Sequence, residues 1–224
     1  MSAPLRTQVL VITKAPVPGR SKTRLTPPCT PEQAAGIAAA AVADTLDAVR
    51  AAPVARRVVA LDGEPGALDL AGFAVVPQVD GDLGTRLAAA FDDAMTGSAA
   101  PALLIGMDTP QVTAELLARC AARLEAGGPG TAVLGTAPDG GWWALGVHRA
   151  VDAAVLADVP MSREDTAVRT REALEASGLV VLDLPELTDI DHFPDALAVA
   201  AQCPPGSRTA RVVGSVAAAV EVRT

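Results

Sequence analysis

Short apolar runs alternate along the chain with longer stretches of helical spacing. Residues 9–12, Val-Leu-Val-Ile, are four β-favouring side chains in a row and read as a short buried strand. Runs at 57–61, 73–77, 102–106, 131–135 and 179–182 read as further strands, the one at 102–106 being the clearest. Helices are predicted between them. An alanine-rich helix runs from Pro31 to about Ala52, with Thr30 as its cap and Pro31 at its first position. Others follow a loop at 78–86 as far as about Thr96, and span about 112–126 and 162–176. The last has Ser162 as cap and Asp165 completing an Asp version of the capping box. Asp139-Gly140-Gly141 leads into an aromatic strand beginning at Trp142, which predicts a hairpin. Strand-then-helix alternation implies a three-layer α/β/α sandwich with a mostly parallel sheet, and the hairpin implies a mixed edge.

Length and composition narrow this picture. The 224 residues fit one domain, drawn here at 1–202, followed by a tail at 203–224. Pro204-Pro205-Gly206-Ser207 sets off that tail, which packs on the domain or against a partner, leaving a homodimer open. No apolar run approaches bilayer-spanning length and residues 1–7 lack the apolar segment of a signal peptide, so no membrane partner and a cytoplasmic location are expected. Cys29, Cys120 and Cys203 are widely spaced and odd in number, which argues against a disulfide framework and a zinc site. A net charge of -8 and a pI near 4.7 argue against a nucleic-acid partner.

Against that acidic background the loop after the first strand is basic. Lys14, Arg20, Lys22 and Arg24 crowd a segment stiffened by Pro16 and Pro18 and bent at Gly19. Neither the Gly-x-x-x-x-Gly-Lys-Ser/Thr phosphate loop nor the Gly-x-Gly-x-x-Gly fingerprint is present. What remains is a strand, a tight turn and backbone amides beside cations, the ingredients of a cradle for phosphate oxygens. In the 78–86 loop, Gly81 and Gly84 permit close backbone approach to a ligand, and Arg86 sits near the positive end of the following helix.

Acids stand at the matching ends of later strands. Asp108 follows the 102–106 strand, where an open parallel sheet places its ligands, and its carboxylate suits Mg2+ or Mn2+. It can equally cap a helix starting near Pro110, and the two roles can coexist. Alternation puts Asp189 and Asp191 on one side of an extended segment, ready for one cation, with Asp191 ranked first. Trp142 and Trp143 face opposite ways, so one can wall a ligand site, although a purely structural hairpin accounts for them equally well.

The pattern Lys14-x-Pro16-x-Pro18-Gly19-x-x-Lys22-Thr23-Arg24-Leu25 resembles the opening of a bacterial nucleotide-diphospho-sugar transferase-like family, the arsenosugar-biosynthesis-type glycosyltransferases. More distantly it is similar to the 2-phospholactate guanylyltransferases. Gln78-x-x-Gly81-Asp82-Leu83-Gly84-x-Arg86, Asp139-Gly140-Gly141 and Asp189-x-Asp191 resemble further family segments, and the family also has an acid at Asp44. Trp142 stands where the family carries Tyr, and Met161-Ser162 only partly matches its Trp-Ser-Thr type of segment. The resemblance implies a GT-A-like fold and a metal-dependent transferase using a nucleotide sugar with a small-molecule acceptor. Nucleotide contacts would come from Lys14, Pro16, Gly19, Arg20, Lys22, Thr23, Gly81, Asp82, Gly84, Arg86, Gly140 and Gly141. Asp108, Asp191 and Asp189 would hold the metal. Lys22 and Arg24 would offset leaving-group charge, Asp139 would orient or deprotonate the acceptor, and Trp142 and Ser162 would face it. The alternatives are a guanylyl- or cytidylyltransferase acting on a nucleoside triphosphate, and a non-catalytic nucleotide-binding domain.

Overall fold

The structure, a computed structural model, describes residues 5–221. Its central strand β1 (Gln8–Lys14) shows why the chain forms three layers. Val9 and Val11 pack toward α1 (Pro31–Ala51) and α3 (Ala114–Gly127), while Leu10 and Ile12 pack toward α2 (Leu83–Met95). A strand covered on both faces has no polar side to offer, so its middle, residues 9–12, is apolar throughout.

The sheet has seven strands, completed by β2 (Arg56–Asp62), β3 (Ala74–Pro77), β4 (Ala102–Gly106), β5 (Thr131–Thr136), β6 (Trp142–Val147) and β7 (Val180–Asp183). Their order is β3-β2-β1-β4-β6-β5-β7. Among these, only β6 runs antiparallel, hydrogen-bonded to β4 on one side and β5 on the other. The reversed strand therefore lies inside the sheet and not at its edge. The 137–141 turn folds the chain back beside β5, and β7 then adds parallel to the free side of β5. Strand order reverses at β1, which leaves a crevice at the carboxyl ends of β1 and β4.

Local signals account for most helix starts. Thr30 Oγ1 accepts from Gln33 N at 3.2 Å while Gln33 Oε1 accepts from Thr30 N at 2.8 Å, closing a reciprocal cap before Pro31. The start expected at Ser162 is corrected. Ser162 takes φ 58° and carries no capping bond, and α5 (Thr166–Ala176) opens four residues later. Thr166 Oγ1 instead accepts from Arg163 N and donates to Pro160 O, which turns 160–166 into a closed loop. Nor does Asp108 cap a helix at Pro110: α3 begins at Ala114, with Thr113 Oγ1 accepting from Leu116 N.

Three helices were not foreseen. α4 (Ala150–Ala153) precedes a short turn at 154–158, and α6 (Phe193–Gln202) and α7 (Arg208–Glu221) cover α1 from outside. Ile37 and Ala41 of α1 meet Ala196, Val199, Val213 and Val216 there. Residues 208–221, within the expected tail, are thus helical and packed on the domain. Among the described residues, no helix is long and apolar enough to cross a membrane.

Candidate functional site

A cavity of about 930 Å³ opens at the carboxyl ends of the parallel strands. Three elements deliver side chains to it. β1 ends in Lys14, β4 runs on into Met107-Asp108-Thr109, and β6, being reversed, begins there with Trp142. Of the residues singled out in the sequence, Lys14, Arg24, Arg86, Asp108, Asp139, Gly140, Gly141, Trp142, Ser162, Asp189 and Asp191 line it. Pro16, Gly19, Arg20, Lys22, Thr23, Gly81, Asp82 and Gly84 do not.

The 16–21 loop is occupied with itself. Ser21, 1% exposed, accepts from Val17 N through Oγ and donates to Ala15 O, while Arg20 points outward. Lys22 then takes φ 51° and starts a 3-10 turn, Thr23–Leu25, anchored by the fully buried Leu25. This geometry sends Lys22 inward. Its ammonium lies 2.8 Å from Asp108 Oδ1 and donates to the Ile190 carbonyl, tying the basic loop to the strand-end acid and to the 188–191 segment. Arg24 pairs with Asp191 at 2.7 Å, so the opening loop and the late acids do meet.

The acids differ in how they are held. Asp191 is claimed by Arg24, with His192 Nδ1 a further 3.5 Å contact. Asp189 is half-buried; burial first, and then the Asp139 carboxylate, push its carboxyl up to about 6, against the pull of Lys22. Asp139 Oδ1 accepts from Gly141 N at 2.8 Å, which shapes the turn. Gly140 takes φ 86° and passes so close to Glu164 that a Cβ there would lie 1.8 Å from its carbonyl oxygen.

Other expected contacts have structural explanations. Asp82 caps α2, Oδ1 accepting from Thr85 N at 2.8 Å, and that bond holds its carboxyl below the usual range. Gly84 is small because α2 packs on the 154–158 turn: a Cβ would meet the Leu156 carbonyl at 2.3 Å. Arg86 reaches the cavity and pairs with Asp62 at 2.8 Å. Asp44 lies in a separate hollow of about 500 Å³ and accepts from the backbone N–H groups of Arg208 and Thr209, capping α7. Trp142 donates to Thr170 Oγ1 at 3.1 Å and Trp143 to the Pro185 carbonyl at 2.9 Å, so both indole donors are used within the fold. Trp142 offers the cavity only apolar surface.

Two features escaped the sequence reading. Gln78 bridges strand ends, donating to the Thr13 and Ala60 carbonyls at 2.7 and 2.8 Å, and lines the cavity. The second was countable. The chain has 16 arginines and two lysines, and both lysines, Lys14 and Lys22, stand in the first strand and its loop.

Solved structures of the same fold include a proposed nucleotide-diphospho-sugar transferase from Desulfovibrio desulfuricans G20. It is 24% identical, with 97% of this chain and 98% of that one covered at a TM-score of 0.82. Rv0371c of Mycobacterium tuberculosis H37Rv, solved in complex with manganese, is 22% identical over 86% of this chain and 96% of its own, at a TM-score of 0.53. The 2-C-methyl-D-erythritol 4-phosphate cytidylyltransferase of Thermus thermophilus is 21% identical over 87% and 98%, at 0.51. These likenesses show the fold. No curated protein matches the chain in sequence. Residues 45–163, from within α1 through Asp108 and the Asp139 turn to Arg163, match the family described as uncharacterized protein conserved in bacteria, DUF2064, and the chain belongs to that family.

Proposed function

We propose that this protein is a metal-dependent transferase that uses an activated nucleotide, with a nucleotide-diphospho-sugar as donor and a small molecule as acceptor. One observation carries the reading. At the switch point of the sheet, Lys14, Arg24 and Arg86 share a nucleotide-sized cavity with Asp108, Asp139 and Asp189. That cavity has cations for a diphosphate and carboxylates for a cation and an acceptor. Structures of the same fold that are called nucleotide-sugar or cytidylyl transferases, and one solved with manganese, are consistent with it.

Among the described residues, no three His, Cys, Asp or Glu side chains are grouped to hold a metal ion. Magnesium sites of nucleotide enzymes commonly use only one or two carboxylates, the substrate phosphates and water filling the rest. Asp108 and Asp189 fit that pattern. Asp108 Oδ1 is buried and faces the Lys22 ammonium at 2.8 Å, and Asp189 is a half-buried carboxylate whose charge is disfavoured by burial and then by Asp139 and Asp108. Asp189 is therefore the better candidate than Asp191, which Arg24 already holds. A bound Mg2+ or Mn2+ supplies charge neutralisation on the diphosphate. Lys14 and Arg24 would bind phosphate oxygens and offset charge growing on the leaving group. Asp139, with Oδ1 engaged by Gly141, keeps Oδ2 for an acceptor hydroxyl. Trp142 would pack against the acceptor or base without hydrogen bonding to it.

Nucleotidyl transfer from a nucleoside triphosphate is the second reading, favoured by the cations Lys14, Arg24, Arg86 and Arg163 that line the cavity with Asp108. The two differ in product. The protein is incubated with Mn2+ and a panel of nucleotide sugars and nucleoside triphosphates, and mass spectrometry asks whether a nucleoside diphosphate or pyrophosphate is released. In parallel, heating with UDP, GDP, GTP or CTP should raise Tm only when Mn2+ is also present. Asp108→Ala should abolish that joint stabilisation; if it binds nucleotide with Mn2+ as well as the parent does, the metal assignment is wrong. Joint stabilisation without any turnover would leave a nucleotide-binding domain.

A further inference from the structure

We infer that the Lys22 ammonium is the resident cation of this acid cluster, held between Asp108 and the Ile190 carbonyl until a divalent cation displaces it. The inference rests on the cation reading above and adds an exchange step to it. Lys22 is then a positioning residue with two stations: on Asp108 when the site lacks a metal, and toward the anionic ligand once a metal arrives.

The arrangement around Lys22 favours exchange over a fixed strut. Its side chain is 10% exposed and stands beside Asp108, with Asp189 and Asp139 coupled to the same group of charges. Without a cation these carboxylates would repel one another in a partly desolvated corner. The ammonium meets Asp108 through one oxygen, Oδ1, at 2.8 Å. A contact through a single oxygen leaves other lone pairs of the carboxylate for a better cation. Lys22 also sits at φ 51°, ψ 42°, a left-handed conformation that costs free energy for a residue with a Cβ.

Nor does the 188–191 segment need Lys22 to stay in place. Ile190 N donates to the Asp108 carbonyl at 2.9 Å and Gln111 Nε2 donates to the Thr188 carbonyl at 2.6 Å. The ammonium can leave and the acids remain positioned. Side-chain choice points the same way. In a chain that uses arginine for 16 of its 18 basic residues, this position keeps lysine. A compact charge on a four-carbon stem can occupy a cation-sized gap and swing out of it, which a planar guanidinium with five fixed donors does poorly.

Two lysines make the test direct. Protein labelled at lysine Cε gives two side-chain NMR signals, one from exposed Lys14 and one from Lys22. Titration with Mg2+ alone should shift the Lys22 signal along a saturating curve and leave that of Lys14 in place. In calorimetry without nucleotide, Lys22→Met should bind Mn2+ about tenfold more tightly than the parent, because the competing cation is gone. A strut would give the opposite result, with Mn2+ binding weakened or lost in Lys22→Met. The inference is overturned if Mg2+ saturates the protein without moving the Lys22 signal, or if a folded Lys22→Met binds Mn2+ no more tightly. Should Lys22→Met not fold, the NMR titration of the parent decides alone. If the parent binds Mn2+ but Lys22 does not respond, only the exchange fails. If neither protein binds Mn2+, even with UDP, GDP, GTP or CTP present, the metal reading falls with it.

Discussion

Gly140→Ala is the most quantitative probe of how the acceptor side of the cavity is built. Gly140 has φ 86°, and its carbonyl accepts from Ala167 N at 2.8 Å, which docks the Asp139 turn onto the start of α5. A Cβ added there would sit 1.8 Å from the Glu164 carbonyl oxygen and 2.4 Å from its carbon, both backbone atoms that no rotamer change can move. The left-handed conformation costs an alanine about 1–2 kcal/mol. Forcing the turn away from Glu164 costs about 1–3 kcal/mol, as overpacking generally does. Weakening the bond to Ala167 adds about 1 kcal/mol. The total is about 4 kcal/mol, which for a domain of this size lowers Tm by roughly 8–16 °C. Gly178→Ala is the control, because φ is 91° there but nothing lies within 4 Å of an added Cβ. It should show only the conformational part, about 1–2 kcal/mol. Urea and thermal unfolding of the two variants side by side isolate the Glu164 contact. Equal losses would refute the packing of the turn on 163–167.

Two further outcomes follow from the capping carboxylates. Asp44→Ala removes the acceptor for Arg208 N and Thr209 N at a side chain only 9% exposed, and should cost about 2–3 kcal/mol in urea unfolding, more than an ordinary surface cap. Asp44→Asn, which keeps one acceptor oxygen, should recover part of that loss; no difference between the two would show that α7 does not depend on this cap. Asp82 contributes with a definite pH sign. Its bond to Thr85 N lowers the folded-state pKa, so its stabilisation is present above the ordinary carboxyl value of about 3.9 and disappears as pH falls through the lowered one. The stability difference between parent and Asp82→Asn, followed by thermal unfolding from pH 5 to pH 2, should therefore shift against the parent at the acid end, and a constant difference would contradict it.

What the sequence made legible, and what it concealed, divides along the range of the interactions involved. Short apolar runs gave strands because both faces of the sheet are covered, and Thr30 with Pro31 gave a helix start because a signal of that kind is complete within a few residues. Lys14 and Asp108 were placed correctly for the same reason: a residue just past a parallel strand goes where the strand points. The helix start assigned to Ser162 failed because a capping pattern competes with whatever else the loop must do, and here Thr166 closes the turn on Pro160 instead. The helix in the expected tail was hidden because the acid that caps it belongs to another helix, 165 positions from Thr209. Glycines gave no sign of their partners either, since the sequence does not show that Gly84 packs against the Leu156 carbonyl. The two late acids mark the limit most sharply. Alternation put both Asp189 and Asp191 in one cavity, but the sequence does not show that Arg24, 167 positions from Asp191, pairs with it, and our proposal of Asp189 as the metal ligand rests on that pairing. A carboxylate's chemistry is set by what neutralises it, and that pairing exists only once the chain has folded.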